Sequence, residues 1–469
     1  FGMKGKPLAI RAAGAIIQYL KDTQPSALNL LVRFGAYNLN EYMTLDATTR
    51  RNLELTQTIR QGTVKGSLLE ILDQTVTPMG KRQLQSWLNK PLLDLAAIHQ
   101  RQEGITQLFI DNLLREDLRE SLKKINDLER IINRVVGQSA LPRDMVALRA
   151  NLAELPEVAK LLEEKDGIIA ERMVGYDTCD TEYQILINAI TDEPPATLNK
   201  SGVIRAGYST ELDEVVQSSQ HARDWIAALE PTERERTGIK NLKVGFNKVF
   251  GYYLEVTKSN VDLVPDDYIR KQTLVNSERY ITPDMKEYEA LVLNAEERIR
   301  DVEARLFAEI CGRLAASAAK ILQTARIIAE LDCFAALAEV ARAENYVCPE
   351  VVEEDVLEIE ESRHPVVENL LEQGRRFIPN DIAFETEERV RIITGPNMSG
   401  KSTYLRQVAL IVLLAQMGSY VPAKSARIGI VDRIFTRIGA QDEIHAGQST
   451  FMVEMVEMAN ILNHATPRS

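Results

Sequence analysis

A chain of 469 residues is too long for one hydrophobic core, and about two to four domains are expected. With 45% hydrophobic and 26% charged residues the composition is globular, and a net charge of −12 excludes a protein that is basic throughout. Any nucleic-acid contact must therefore come from a local patch. Cys179, Cys311, Cys333 and Cys348 are scattered with no C-x-x-C pair, and the histidines do not cluster, so no zinc pattern is present and a reducing compartment is favoured. No apolar run reaches bilayer length and no secretory signal opens the chain, which together predict a cytoplasmic protein.

In chain order, residues 1–45 combine a helical stretch (9–22) with a β-like segment (38–46), as in the tail of a preceding domain. From Thr48 to about Asp224 apolar residues recur at helical spacing, as in Leu68, Leu69 and Leu72, then Leu84, Trp87 and Leu88. Pro78, Pro91 and Pro142 mark segment ends, and the stretch 192–209, with two prolines and two glycines, reads as a loop. Between about Trp225 and Asp284 the period moves towards two. Leu242, Val244 and Phe246, then Tyr252, Leu254 and Val256, alternate with other residues and predict a hairpin turning at 248–251. A second strand pair is predicted at 272–275 and 279–282, making a small β insertion in a helical region.

From Met285 to Asn345 there is no proline and one glycine. About sixty helical residues would reach roughly 90 Å, with bends expected at Gly312 or the alanine-rich stretch 315–319. Beyond Pro349 come short strands and loops: 357–359, a segment around Phe377, and a pair of β-like runs in 427–438. A helix over 451–464 is opened by Gly447-Gln448-Ser449-Thr450, with Ser449 as a good N-cap.

The stretch Gly395-Pro396-Asn397-Met398-Ser399-Gly400-Lys401-Ser402-Thr403 fits G-x-x-x-x-G-K-[ST] at every fixed position. Residues 389–394 before it read as a short buried strand, and 404–414 after it as a buried helix. The chemistry accounts for the residue types. Two glycines allow a tight turn that brings backbone N–H groups against phosphate oxygens, and the helix N-terminus adds partial positive charge. The Lys401 ammonium suits the β- and γ-phosphates, and the Ser402 hydroxyl suits a bridging Mg²⁺. A nucleoside triphosphate is the expected ligand.

The loop and its continuation to Gln407 resemble the nucleotide-binding loop of the MutS family of DNA mismatch repair proteins. Similar in kind are Glu361-Ser362-Arg363-His364-Pro365, residues 434–440 and 449–455, and Lys243-Val244-Gly245-Phe246-Asn247 with Gly251-Tyr252-Tyr253. The match runs along the whole chain with the motifs in the family's order. It implies a multidomain α+β architecture. Residues 1–47 would end a connector domain, and 48–224 with 285–348 would form a helical core with levers. Residues 225–284 would be a β clamp touching DNA, and 349–469 the first part of an ABC-type P-loop ATPase.

The resemblance also implies ATP or ADP with Mg²⁺ as ligands, and mismatched duplex DNA, a second copy of the chain and a MutL-type repair protein as partners. Phe377 would stack on adenine. Asn397, and Ser449 in trans, would reach a γ-phosphate, with Ser402 on the metal. The family's mismatch-reading domain is missing from this sequence, and its catalytic glutamate is expected beyond Ser469. The chain as written is therefore expected to be part of a longer ATPase and inactive alone.

In the β insertion, Lys243, Lys248, Lys258, Arg270, Lys271 and Arg279 are the cations available for DNA phosphates. Residues 225–284 hold nine Lys/Arg against nine Asp/Glu, so the patch is not basic overall. Two other readings compete. A chromosome-tethering ATPase of the SMC kind would need hundreds of heptad residues. A MutS relative working in recombination would lack the 243–257 hairpin.

Overall fold

The computed structural model describes residues 7–23, 28, 41–247, 251–371, 376–384, 388–437 and 450–469, apart from the side chains of Leu293, Phe451 and Val453. The chain forms two compact units: Phe1–Asn133, Ala150–Cys179 and Ser317–Ser469 make one, and Arg134–Arg149 with Asp180–Ala316 make the other. The multidomain α+β class expected from the sequence holds. Among the described residues no helix is long and apolar enough to cross a membrane.

After α1 (Pro7–Thr23) come α2 (Ala47–Asn52), α3 (Leu68–Leu72), α4 (Pro78–Asn89), α5 (Leu95–Ile110), α6 (Asn112–Lys123), α7 (Leu128–Val136), α8 (Pro142–Leu162), α9 (Gly167–Arg172), α10 (Asp180–Ala189) and α11 (Thr210–Thr237). Many open on a residue that can accept a backbone N–H. Asp46, Thr77, Asp94, Asp111 and Ser209 do so for α2, α4, α5, α6 and α11. The expected strand at 38–46 is not formed where described: Tyr42 and Thr44 make single bridges to Leu92 and Arg433. Residues 38–40 lie outside the described set.

The helix α11 overruns the expected change of period at Trp225. Ile226, Leu229 and Glu233 continue its buried stripe, and Gly238 ends it in the left-handed region at φ 71°. The β insertion follows as β1 (Lys243–Asn247), β2 (Gly251–Thr257), β3 (Ile269–Thr273) and β4 (Ser277–Ile281), in the order β1-β2-β4-β3, all antiparallel. Val244 pairs with Leu254 and Leu254 with Tyr280, so one face of the sheet packs on Leu229, Ile239, Leu242 and Met285. Phe246, expected inward with Val244, is 57% exposed.

The long helical stretch is two helices, α12 (Pro283–Ala316) and α13 (Ala318–Ala343). The break is at Ser317, inside the alanine-rich run, and Gly312 stays helical. Within its unit α12 runs antiparallel to α11. Trp225 stacks on Tyr288 at 3.9 Å, and Arg223 and Arg305 pair with Glu296 and Glu211. In the other unit α13 is buried along its whole length among α4, α5 and α6. Its Phe334 is fully buried beside Trp87, with ring centroids 5.7 Å apart, and fills the space left by Gly104. The neighbouring Asp332 carboxylate accepts from Val76 N, Thr77 N and Thr77 Oγ1, which seats the start of α4. Burial raises the pKa of that carboxyl.

The C-terminal part holds β5 (Glu350–Val352), β6 (Leu357–Ser362), α14 (Pro365–Leu370), β7 (Asn380–Ala383), α15 (Lys401–Met417), β8 (Ser425–Gly429) and α16 (Thr450–His464). The sheet order is β5-β8-β6-β7, with only β5–β8 parallel. Two expectations fail here. Residues 389–394 form no strand, and Val390 and Ile392 are 79% and 85% exposed. Among the described residues their backbone pairs with no strand, and an apolar β-branched run without a partner does not become one. In the second half of the 427–438 pair, residues 434–437 form no strand, and among the described residues Arg433 makes a single bridge to Thr44.

Candidate functional site

The phosphate-type loop leads straight into α15. Gly395 and Gly400 take φ 152° and 92°, and Met398 also sits at positive φ, 64°, with its side chain fully exposed. Gly400 is the N-cap of α15 and supplies no side-chain acceptor. Among the described hydrogen bonds none uses the N–H groups of Lys401, Ser402 or Thr403, while Tyr404 N closes the first turn on Gly400 O at 2.9 Å. The Lys401 ammonium curls back and donates to Gly395 O and Pro396 O, both at 2.7 Å. Asn397, Ser399 and Ser402 are exposed, and Thr403 is half-buried.

This donor set fits a polyphosphate: a cation, a helix N-terminus without a capping side chain, and a hydroxyl at the second helical position. Phe377 is half-buried in the segment running into β7. Ser449 lies outside the described residues.

Behind the loop, from Leu405 onward, α15 carries one charge, Arg406, in an otherwise apolar stretch interrupted by two fully buried glutamines to which the sequence assigned no role. Gln416 Nε2 donates to Leu92 O at 2.9 Å and to Val431 O at 3.0 Å, and its Oε1 accepts from Val431 N at 2.9 Å. Gln407 Nε2 donates to Ser362 Oγ at 2.5 Å. A long polar side chain inside an apolar run was the available signal. His364 is structural: its Nδ1 accepts from Val366 N at 3.3 Å and Val367 N at 3.2 Å, capping α14. Burial, with the Arg406 charge, lowers its pKa to about 4. Burial raises the pKa of Glu368 on the same helix to about 7, against the pull of Arg363.

In the other unit the β insertion sorts its cations. Arg279 pairs with Glu255 at 2.9 Å, donates to Gln272 at 3.0 Å and lies 4.2 Å from the Tyr253 ring centre. Arg270 reaches Glu278 at 3.4 Å. Glu230 takes the Val244 N–H and Glu233 the Tyr268 hydroxyl. The side chains of Lys243, Lys258 and Lys271 are exposed and make no ion pair among the described residues. Asp262 and Asp266 are exposed too, so the cationic character is local. Lys248 lies outside the described residues. No group of acidic, histidine or cysteine side chains suited to a metal occurs among the described residues.

Comparison with known proteins agrees along the whole chain. The family model described as MutS domain III matches residues 48–338, and that of MutS domain V matches 391–469. The DNA mismatch repair protein MutS of Halothermothrix orenii is 52% identical over 473 residues, covering 100% of this chain and 52% of its own length. The namesake from Acetivibrio thermocellus is 49% identical, covering 98% and 53%, and that from Methanococcoides burtonii is 46% identical, covering 100% and 53%. The chain spans about half the length of the curated relatives it matches. By these matches the chain belongs to the MutS family.

Proposed function

We propose that this chain is the core, clamp and nucleotide-binding portion of an ATP-switched DNA mismatch repair clamp working as a dimer in the cytoplasm. Residues 1–47 end the connector, 48–224 and 285–348 form the core and levers, 225–284 the clamp, and 349–469 the first part of the ATPase domain. The relatives' printed name supports the repair role. The observation that carries the reading is the loop 395–403, with its two glycines at positive φ and Lys401 opening an uncapped helix.

In this reading the Lys401 ammonium and the first N–H groups of α15 bind the β- and γ-phosphates, and Asn397 and the partner's Ser449 approach the γ-phosphate. Phe377 stacks on the adenine. A Mg²⁺ ion held by Ser402 would neutralise the phosphate charge. Lys243, Lys248, Lys258, Arg270 and Lys271 are the candidate phosphate contacts on DNA, and they would grip without reading sequence. Coupling requires that ATP favour one arrangement of the dimer over another, and a MutL-type protein would respond to that state.

Calorimetry with Mg·ATP on the intact protein tests the reading. Lys401→Ala is expected to weaken binding by about a hundredfold, the loss of a charge-assisted contact. Unchanged binding by the variant, or none by the parent, rejects the assignment.

A further inference from the structure

Both flanks of the phosphate loop are tied to one strand, β7. Upstream, the Arg391 guanidinium donates to Ala383 O at 2.5 Å. Downstream, the Tyr404 hydroxyl donates to Asp381 O at 3.3 Å. Gln407, on the second turn of α15, reaches the same strand through an intermediary. Its amide donates to Ser362 Oγ at 2.5 Å, and that hydroxyl donates to Asn380 O at 2.5 Å. Ser362 and Gln407 are both fully buried although 45 residues apart in the chain.

The linkage sits at an irregularity. The β6–β7 register shifts between Ile359 and Ser362, and Glu361 adopts φ 46°. The Glu361 N–H donates to the Asp381 carboxylate at 2.8 Å, so side chains take over pairing where the ladder is disturbed. Asn380 follows Phe377 by three residues, a tether of at most roughly 11 Å. Gln407 is six residues into α15, about 9 Å along the axis from Lys401. A fixed bond path thus joins the segment carrying Phe377 to the helix carrying Lys401.

We propose that Ser362 and Gln407 are positioning residues that hold the base-stacking segment at a set distance from the phosphate loop, so that the two halves of a nucleoside triphosphate are gripped together. This rests on the nucleotide reading above. An apolar pair would fill the same space with no desolvation cost. The polar pair is kept although Gln407 Oε1 finds no hydrogen-bond partner among the described residues, and its donor–acceptor alignment restricts the spacing in a way that apolar contact would not. Neither residue touches the nucleotide in this scheme; both act through Asn380 and α15.

The test compares a ligand with a base against one without. In the intact protein, affinities for Mg·ADP and for Mg·pyrophosphate are measured for the parent, Ser362→Ala, Gln407→Leu and the double variant. The relay predicts that each single change lowers ADP affinity by about tenfold while pyrophosphate affinity moves by less than about twofold. It also predicts that the double variant is no worse than either single one. Equal losses for both ligands, or an unchanged ratio in variants that melt like the parent, overturn it. Should the buried variants fail to fold, Tyr404→Phe removes only the hydroxyl on Asp381 O. That variant must shift the ratio in the same direction by about threefold, and no shift overturns the proposal. A parent that binds neither ligand overturns the nucleotide reading, and the relay with it.

Discussion

Two apolar, β-rich stretches met opposite fates. The hairpins of β1 to β4 became a four-stranded antiparallel sheet with one face on α11 and α12. Residues 389–394, with as good a strand composition, stayed irregular, exposed and unpaired among the described residues. A strand is a property of a pair. In the hairpins each strand finds its partner a few residues away, whereas a parallel strand before a phosphate loop depends on neighbours reached through long crossovers.

The contrast can be broken most strongly at the turn of the sheet. Gly251 has φ 87°, and a Cβ there would lie 1.9 Å from Glu289 Oε1, beside the carboxylate that takes the Tyr252 N–H. Gly251→Ala is expected to cost about 3 kcal/mol in denaturant unfolding, from left-handed strain and the displaced carboxylate. Val390→Asp, on the unpaired stretch, should stay within about 0.5 kcal/mol of the parent. A large cost at Val390 would mean that 389–394 does pair in solution.

Next in size is an acid effect at the start of α14. The His364 ring has a pKa of about 4 when folded, against 6.5 for an ordinary histidine, so the unfolded chain binds more protons between those values. Stability is therefore lost as pH falls from 6.5 to 4, by about 2 kcal/mol from this group. His364→Asn keeps a capping acceptor but cannot titrate there, and its melting curves should lose that part of the acid sensitivity. Glu368, folded pKa about 7, works in the opposite sense, favouring the fold less as pH rises from 4.5 through 7, so the variant must be read as a difference from the parent.

The smallest effect belongs to the exposed lysines of the β insertion. Replacing Lys243, Lys258 and Lys271 by Ala should lower duplex affinity by about tenfold near 0.15 M salt, equally for all sequences. It should also flatten the log–log salt dependence by about 2 to 3, near 0.9 per lost phosphate contact. Arg279→Ala, already paired with Glu255, should change the slope little. An unchanged slope for the triple variant would move the DNA contact elsewhere.

Local rules made much of the molecule legible: the helix that follows the glycine–lysine loop, the alternation at Leu254 and Val256, and the segment ends at Pro78 and Pro142. What escaped was settled at long range. The choice between Gly312 and the alanine-rich stretch 315–319, where the break falls at Ser317, could not be made locally, because alanine carries no stop signal of its own. The α11 helix outlasted the change of period because Ile226 and Leu229 found burial. The Ser362–Gln407 pair could not be read at all, since neither residue announces a partner 45 positions away.

The two buried glutamines of α15 lie nine residues apart, about two and a half turns, and so project from opposite sides of the cylinder. Greasy side chains alone would let such a rod roll or creep by a turn in its groove at modest cost. Amide pegs on both flanks remove that freedom, leaving Lys401 a single seating whatever the rest of the groove does.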